Sequence, residues 1–506
     1  MSRMERADLS MTASDNSRDG SRSSSPEPQP PATPSFSEMR RSLSSKSLRD
    51  LELRRLPKRV WRKPTEERRL PRDLEQLAIW SARGALRAFI SGYGCRAGVN
   101  LVLILFRVLR NAKVKSADLQ RALAGEDNFR FGGMLGSFVL LWRFTHNALR
   151  IWNVGPRGAG KQEYWHAAAA GAVAGLAVFA ERPARRITYG QQLFVRGLQG
   201  WYNMLHARGL VHIPNGDVLL FGAACGQIMM AWLNRPDSLP GGYRRWITNA
   251  SRVPPPVLPI DLALMSRKAV PYDDVVRLSN WRRITPANKA YLERWLADSK
   301  LSSFINPPHA PCQSVHPWLD SCRAVATERW WDVFRWIVPV YTGLNIIPPL
   351  VFRHKLFLKQ PMQVLSKAAF GTVRSSAFLA TFVVIFQSGI CAQRNLYASY
   401  GHSMPSWLTR MVLHKYVYWM LGFSTCLSLF VEDKKRRGEL ALYVLPKGLE
   451  SIWSIARQRG LAPAVPHGDV LLASGGLAMV MSAYHHDKAR LSGLVRALLW
   501  QLTGHS

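Results

Sequence analysis

The chain is poor in cysteine, with six in 506 residues. That is too few to staple a fold of this size, so a disulfide scaffold is excluded. It is also poor in acid: 33 Asp and Glu stand against 68 Lys and Arg, a formal charge of +35. Near the N-terminus it lacks an apolar core of signal-peptide type, and Glu5, Asp8, Asp15 and Asp19 argue against an ordinary mitochondrial presequence. The ending Gly504, His505, Ser506 is not a peroxisomal matrix signal. Long uninterrupted apolar runs are scarce, although a bilayer core of ~30 Å calls for about 20 apolar residues per helix. What is abundant is apolar content overall: 47% hydrophobic against 20% charged, which excludes a wholly disordered polyelectrolyte.

The excess of base leaves two classes, a nucleic-acid binder or a membrane protein with basic loops. The placement of the charges separates them. Nucleic-acid binding needs base gathered on one folded face or motif. Here the basic residues fall in an N-terminal tail and in short connectors between apolar segments. That pattern suits anionic lipid headgroups, and no nucleic-acid partner is expected. The 18 Trp fit residues seated at membrane interfaces.

Four regions follow from the texture. Residues 1–75 read as a disordered, basic, Ser/Pro-rich tail, with Pro26, Pro28, Pro30, Pro31 and Pro34 in one stretch. Ser42 and Ser45 lie among its basic residues, where phosphate would weaken binding to anionic lipid or change the recruitment of a protein partner. Residues 76–240 hold apolar segments at 84–106, 131–151, 164–180 and 217–233. Residues 241–310 form a polar linker. Residues 311–506 hold apolar segments at 334–352, 372–393, 414–431 and 469–484. The expected fold is an all-α membrane protein: two tandem four-helix repeats, about eight spans, with interfacial amphipathic helices.

The repeat is written in the residues. Glu181 leads to Arg185 and Arg186, and Glu432 leads to Arg436 and Arg437, an offset of 432 − 181 = 251. Arg208-Gly209-Leu210 matches Arg459-Gly460-Leu461 at the same offset. Pro214 with Gly216-Asp217-Val218-Leu219-Leu220 matches Pro466 with Gly468-Asp469-Val470-Leu471-Leu472, where 468 − 216 = 252. The Gly-Asp pairs are expected to supply a turn and an N-cap for each fourth helix. The stretch 189–206, with Gln191, Gln192, Arg196 and Gln199, is too polar to span easily and is expected at the interface beside Trp201 and Tyr202. Four spans per repeat return the chain to its starting side, so the repeats would be parallel; a fifth would invert them.

Several residues stand out. Gly132 and Gly136, Gly171 and Gly175, and Gly222 and Gly226 are each four apart, the spacing that lets helix backbones approach within a bilayer. Glu181 with Arg185, and Glu432 with Arg436, fit i, i+4 pairs that anchor a helix mouth or line a transport path. Arg96 and Arg143 fall near the middle of predicted helices, where a cation must face protein or water, or snorkel. Residues 155–161, with Gly155, Gly158, Gly160 and Lys161, imitate a phosphate loop. Gln162 replaces its Ser/Thr and no strand precedes it, so the stretch reads as a basic loop. Cys312 and Cys322 flank His316, with His309 nearby; two thiols and two histidines leave a metal site, a disulfide and reduced structural thiols all open. No nucleophile–base pairing stands out, and no catalytic residue, metal or cofactor is assigned.

Pro311-Cys312, His316-Pro317, Ser321-Cys322-Arg323, Pro339-Val340-Tyr341, Ser375-Ser376-Ala377-Phe378, and Glu432 with Arg436-Arg437 make residues 312–484 resemble the cysteine-containing half of the transmembrane protein 135 family. Phe131-Gly132-Gly133, Gly136-Ser137-Phe138, and His166 through Gly175 make residues 84–234 resemble that family's other half and peroxisomal membrane protein 4. More distantly, the glycine-rich four-span plan is similar to the mitochondrial inner-membrane protein-translocase channel family. The cysteine-containing half comes second here and first in the animal family. The resemblance implies a non-enzymatic integral protein of the peroxisomal or mitochondrial membrane, linked to organelle dynamics and lipid metabolism, in contact with membrane lipids. A membrane-embedded enzyme of lipid metabolism and an adaptor recruiting partners through its tail stand as alternatives, and an oligomer is left open.

Overall fold

The computed structural model describes residues 71, 73–109, 115–152, 163–266, 268–299, 311–352 and 354–504. Ser42, Ser45, the loop 155–161 and His309 lie outside the described residues. Every regular element among those described is helical. The first half contains α1 (Leu74–Leu109), α2 (Ser116–Ala124), α3 (Glu126–Ile151), α4 (Tyr164–Gly175), α5 (Pro183–Ala207), α6 (Gly216–Asn234) and α7 (Gly241–Ser251). Then come α8 (Val257–Met265), α9 (Tyr272–Ser279), α10 (Pro286–Ser299) and α11 (Cys312–Val315). The second half contains α12 (Cys322–Phe352), α13 (His354–Lys359), α14 (Pro361–Tyr400), α15 (Ser406–Val412), α16 (Tyr416–Ser424), α17 (Lys434–Gln458), α18 (Gly468–His486) and α19 (Gly493–Thr503). Both α4 and α16 tighten at their ends into 3-10 turns, Leu176–Ala180 and Thr425–Phe430.

Among the described residues three helices are long and apolar enough to cross a membrane, over Leu74–Leu105, Gly216–Asn234 and Pro361–Tyr400. Trp165–Ala180 and Tyr416–Phe430 are shorter apolar helices. Other expected spans are helices of different character. Helix α3 carries Glu126, Asp127, Arg130, Arg143 and Arg150, and α12 carries Arg323, Glu328, Arg329, Asp332 and Arg335.

The two halves bend at matching places. Gly209 and Gly460 both end an amphipathic helix at φ +72°, a left-handed conformation that a residue without Cβ adopts freely. Asn215 and His467 both take φ near +50°, at 51° and 52°. These two residues, not the Gly-Asp pairs, occupy the N-cap positions of α6 and α18. Asp217 and Asp469 sit in the first turn, where a carboxylate favours the positive end of the helix dipole.

The fourth helices change places. Helix α6 packs on α16 and α17 of the second half, and α18 packs on α4 and α5 of the first. The cores record the exchange. One joins Phe138, Val139, Trp142, Ala170 and Ala174 to Leu477, Met481 and Tyr484 of α18. The other joins Val333, Ile337, Phe378 and Val383 to Val218, Phe221 and Cys225 of α6.

All three glycine pairs lie at close crossings. A Cβ on Gly132 would stand 3.0 Å from the Phe89 carbonyl, and one on Gly136 3.1 Å from that of Ala85, both on α1. On Gly171 it would meet the Leu477 carbonyl at 2.5 Å, and on Gly175 it would overlap the Ser474 backbone, both on α18. On Gly222 it would stand 3.1 Å from the Cys426 Cβ, and on Gly226 2.9 Å from the Trp419 carbonyl. Two of the three pairs therefore serve the exchange itself.

The amphipathic helix α5 buries Gly190, Val195, Gly197 and Gly200, and α18 is its main neighbour; Trp201 and Tyr202 stay exposed. Its Arg196 pairs with Glu439 of α17. The 241–310 region, polar by composition, holds α7 to α10. Val257, Ile260, Val275, Leu278, Leu292 and Trp295 form a core of their own there, with Val315.

Candidate functional site

Polar side chains gather at both ends of each bundle. At one end lies the repeated Glu-x3-Arg-Arg motif. Arg186 donates to the carbonyls of Glu181 (2.8 Å) and Phe179 (2.9 Å) and lies over the Phe179 ring at 5.2 Å. Arg437 does the same with Glu432 (3.4 Å), Phe430 (3.5 Å) and the Phe430 ring at 5.0 Å. These carbonyls end the 3-10 turns, which leave acceptors without intrahelical donors. The second Arg of each motif is thus a C-terminal cap.

The first Arg faces the buried Glu. Arg185 lies 3.7 Å from Glu181, and Arg436 lies 3.9 Å from Glu432. The surroundings differ. Glu432 accepts from Ser375 Oγ at 2.7 Å and from the Asp433 amide at 3.0 Å. The Glu181 oxygens are buried with no hydrogen bond, because Arg185 turns instead to Asp127 at 2.6 Å. Burial holds the Glu181 carboxyl above its usual range, against the pull of Arg185 and Arg96. Arg96 is half-buried in α1, and its charge also lowers Asp127, after the Arg185 hydrogen bond and charge.

Arg143 sits at the opposite end of the first bundle and does not snorkel. It is 1% exposed and stacks over the Trp80 ring at 4.3 Å. It donates to the carbonyls of Trp80 (3.3 Å) and Thr503 (3.1 Å). A Cβ at Gly84 would overlap its guanidinium, so a glycine is what leaves it room. In the second bundle Arg329, also 1% exposed, donates to the carbonyls of Ser251 (3.2 Å) and Arg252 and lies over the Trp318 ring at 4.9 Å. Ser251 and Thr503 end α7 and α19 and are 503 − 251 = 252 apart. The same carbonyl is capped in both halves, by Arg from different helices.

The second bundle holds one further cluster. Cys312, His316, Cys322 and Cys391 bring their donor atoms within 4.8 Å of one another. Cys312, His316 and Cys391 are buried, and Cys322 is half-buried. His316 Nε2 is 3.4 Å from Cys322 Sγ, and its Nδ1 is 2.8 Å from the Leu319 carbonyl. Asn395 Nδ2 donates to Cys322 Sγ at 3.5 Å. One turn along α14 from Cys391, Arg394 donates through Nη2 to both carboxylate oxygens of Asp261, at 2.9 and 2.7 Å, both groups buried.

The structure thus brings Cys312, His316 and Cys322 together, and sets Arg96 by the Glu181–Arg185 pair. It keeps these apart from the glycine crossings. Cys391 is the residue the sequence reading missed. It lies 391 − 322 = 69 residues beyond Cys322, inside an apolar helix. The signal was there in Cys391, Gln393, Arg394 and Asn395, a polar end to a helix otherwise poor in charge. Arg329 and Asp261 were missed as well. Three thiols and one imidazole form a soft donor set, of the kind that holds a thiophilic metal. No family model matches the chain, and no solved structure matches it.

Proposed function

We propose that this chain is a non-enzymatic, polytopic organelle membrane protein, built from two tandem four-helix repeats with about eight spans. It acts in peroxisomal or mitochondrial membrane homeostasis, handling a lipid-related solute at the seam where the repeats exchange helices. The carrying observation is the surface of α1. Only 17% of its most apolar window is buried, and Val99, Leu101, Leu103 and Leu105 point outward. Apolar side chains exposed on both sides of a helix are costly in water and are matched by a bilayer.

The matched bends, the repeated Glu-x3-Arg-Arg caps and the glycine crossings support the duplication. The more polar spans are tolerable in this reading because Arg143 and Arg329 meet backbone carbonyls inside the bundle rather than lipid. Choice of organelle rests on the resemblance to the transmembrane protein 135 and peroxisomal membrane protein 4 families. Non-enzymatic work is supported by what Arg143, Arg186, Arg329 and Arg437 do: each caps the carbonyl end of a helix. Carbonate extraction of membranes tests the first half of the proposal. Retention in the pellet is expected, and release into the soluble fraction overturns it. Imaging a tagged copy against peroxisomal and mitochondrial markers tests the second; a signal on neither organelle overturns it.

A further inference from the structure

We propose that Cys312, His316, Cys322 and Cys391 bind one zinc ion in a closed, four-coordinate structural site. The argument starts from spacing. With Zn–S near 2.3 Å and Zn–N near 2.0–2.1 Å, the ligands of a tetrahedral ion stand about 3.3–3.8 Å apart. Here the His316 Nε2 to Cys322 Sγ distance is 3.4 Å, and all four donors fall within 4.8 Å. A small inward motion closes the set around one ion. A two-iron cluster would need its two ligand pairs farther apart, on opposite sides of the rhomb.

The imidazole is already turned for the task. The Leu319 carbonyl can only accept, so in the neutral ring the proton lies on Nδ1. Nε2 then carries its lone pair toward the sulfurs. A ligating histidine commonly shows this arrangement, in which a backbone carbonyl fixes tautomer and ring angle. Beside the sulfurs, Asn395 donates to Cys322 Sγ, a bond that favours its thiolate. On binding, the thiols give up their protons to solvent, and the ion meets three thiolates and one neutral imidazole. Four protein ligands leave no open position, so the site is structural rather than catalytic.

The ligands say what the ion would hold. Cys312 and His316 belong to the segment before α12, which α10 grips through Asn288 Nδ2 to the carbonyls of Pro317 and Leu319, both at 3.1 Å. Cys322 begins α12, and Cys391 lies in α14. The zinc therefore clamps the α8–α10 region to the end of the second bundle.

The test is metal analysis of the full-length chain, purified in detergent with no metal added. About one zinc per chain is expected from a four-ligand site. Cys391→Ser and Cys312→Ser should lose it, whereas Cys95→Ser, an exposed thiol elsewhere, should keep it. His316→Cys supplies a fourth sulfur and should also keep it, which guards against variants that merely misfold. Exchange of wild type with Co(II) should give the thiolate charge-transfer bands of a tetrahedral sulfur site. Absence of zinc with three reactive thiols, a disulfide among these cysteines, or stoichiometric iron or copper in its place would each overturn the proposal.

Discussion

Helices α3 and α14 hold corresponding places in the two halves, and they end differently. Aligning Phe138 with Phe378, an offset of 240, sets Ile151, where α3 stops, against Cys391. Helix α14 runs on to Tyr400, 400 − 391 = 9 residues farther. That extension carries Arg394 and Asn395, and with Cys391 it builds a junction to α8 and to the segment before α12. The first half closes its matching end more simply, with Arg143 on the last carbonyls of α19. At the other end the second arginine of each motif makes the same cap, Arg186 with Phe179 and Arg437 with Phe430. The two halves share the arginines that cap their helices and differ where the second half carries a junction.

The sharpest way to break this contrast is at the extension. Arg394→Met leaves Asp261 buried without its cation, and a loss of about 3–5 kcal/mol is expected from unfolding in detergent. Next come the carbonyl caps. Arg143→Met and Arg329→Met should each cost about 1.5–3 kcal/mol, as hydrogen bonds from charged donors do. Similar losses would show that two unlike arginines perform one task; a large loss at only one would separate the halves. Gly84→Ala should destabilise wild type and do little in the Arg143→Met background, a non-additivity read by a double-mutant cycle.

The glycine crossings rank below. Gly171→Ala and Gly226→Ala should each cost about 1–3 kcal/mol by overpacking. Gly475→Ala, with open space at its Cβ position, should gain up to about 1 kcal/mol from helix propensity. The smallest effect separates the two acids. Glu432→Gln should cost about 1 kcal/mol through its bond to Ser375, whereas Glu181→Gln should be near neutral. Because the folded carboxyl of Glu181 is held above its unfolded value, its ionised form weakens folding. Its contribution to stability therefore rises as pH falls through the raised pKa and levels off below the ordinary one. Thermal melts across that acidic window should show this rise in wild type and a weaker one in Glu181→Gln.

Helices were legible from the chain wherever apolar periodicity ran long. The eight expected segments are helical, because burial and backbone pairing act locally. The close crossings were legible as Gly at i, i+4, but not the identity of the partner: spacing says that a backbone approaches, not which one. The exchange of α6 and α18 therefore left no trace in either half alone. The helices within 241–299 were hidden by composition, since short helices such as α9 bury few residues each. Cys391 was hidden by distance along the chain. A metal set split across 69 residues has no spacing to recognise, whereas Cys312, His316 and Cys322 lie close enough to be suspected.

The exchange of fourth helices is the centre of the account, and a single cross-link tests it. Ala224 lies on α6 of the first half and Gly448 on α17 of the second, and a Cβ on Gly448 would stand 3.5 Å from that of Ala224. That is the Cβ separation a disulfide takes, about 3.5–4.5 Å. In a chain carrying Ala224→Cys, Gly448→Cys and a protease site placed within 301–310, oxidation in intact membranes followed by cleavage should leave the halves joined until reductant is added. Halves that separate without reductant, from a chain that remains folded with both new thiols reactive, would contradict the exchange.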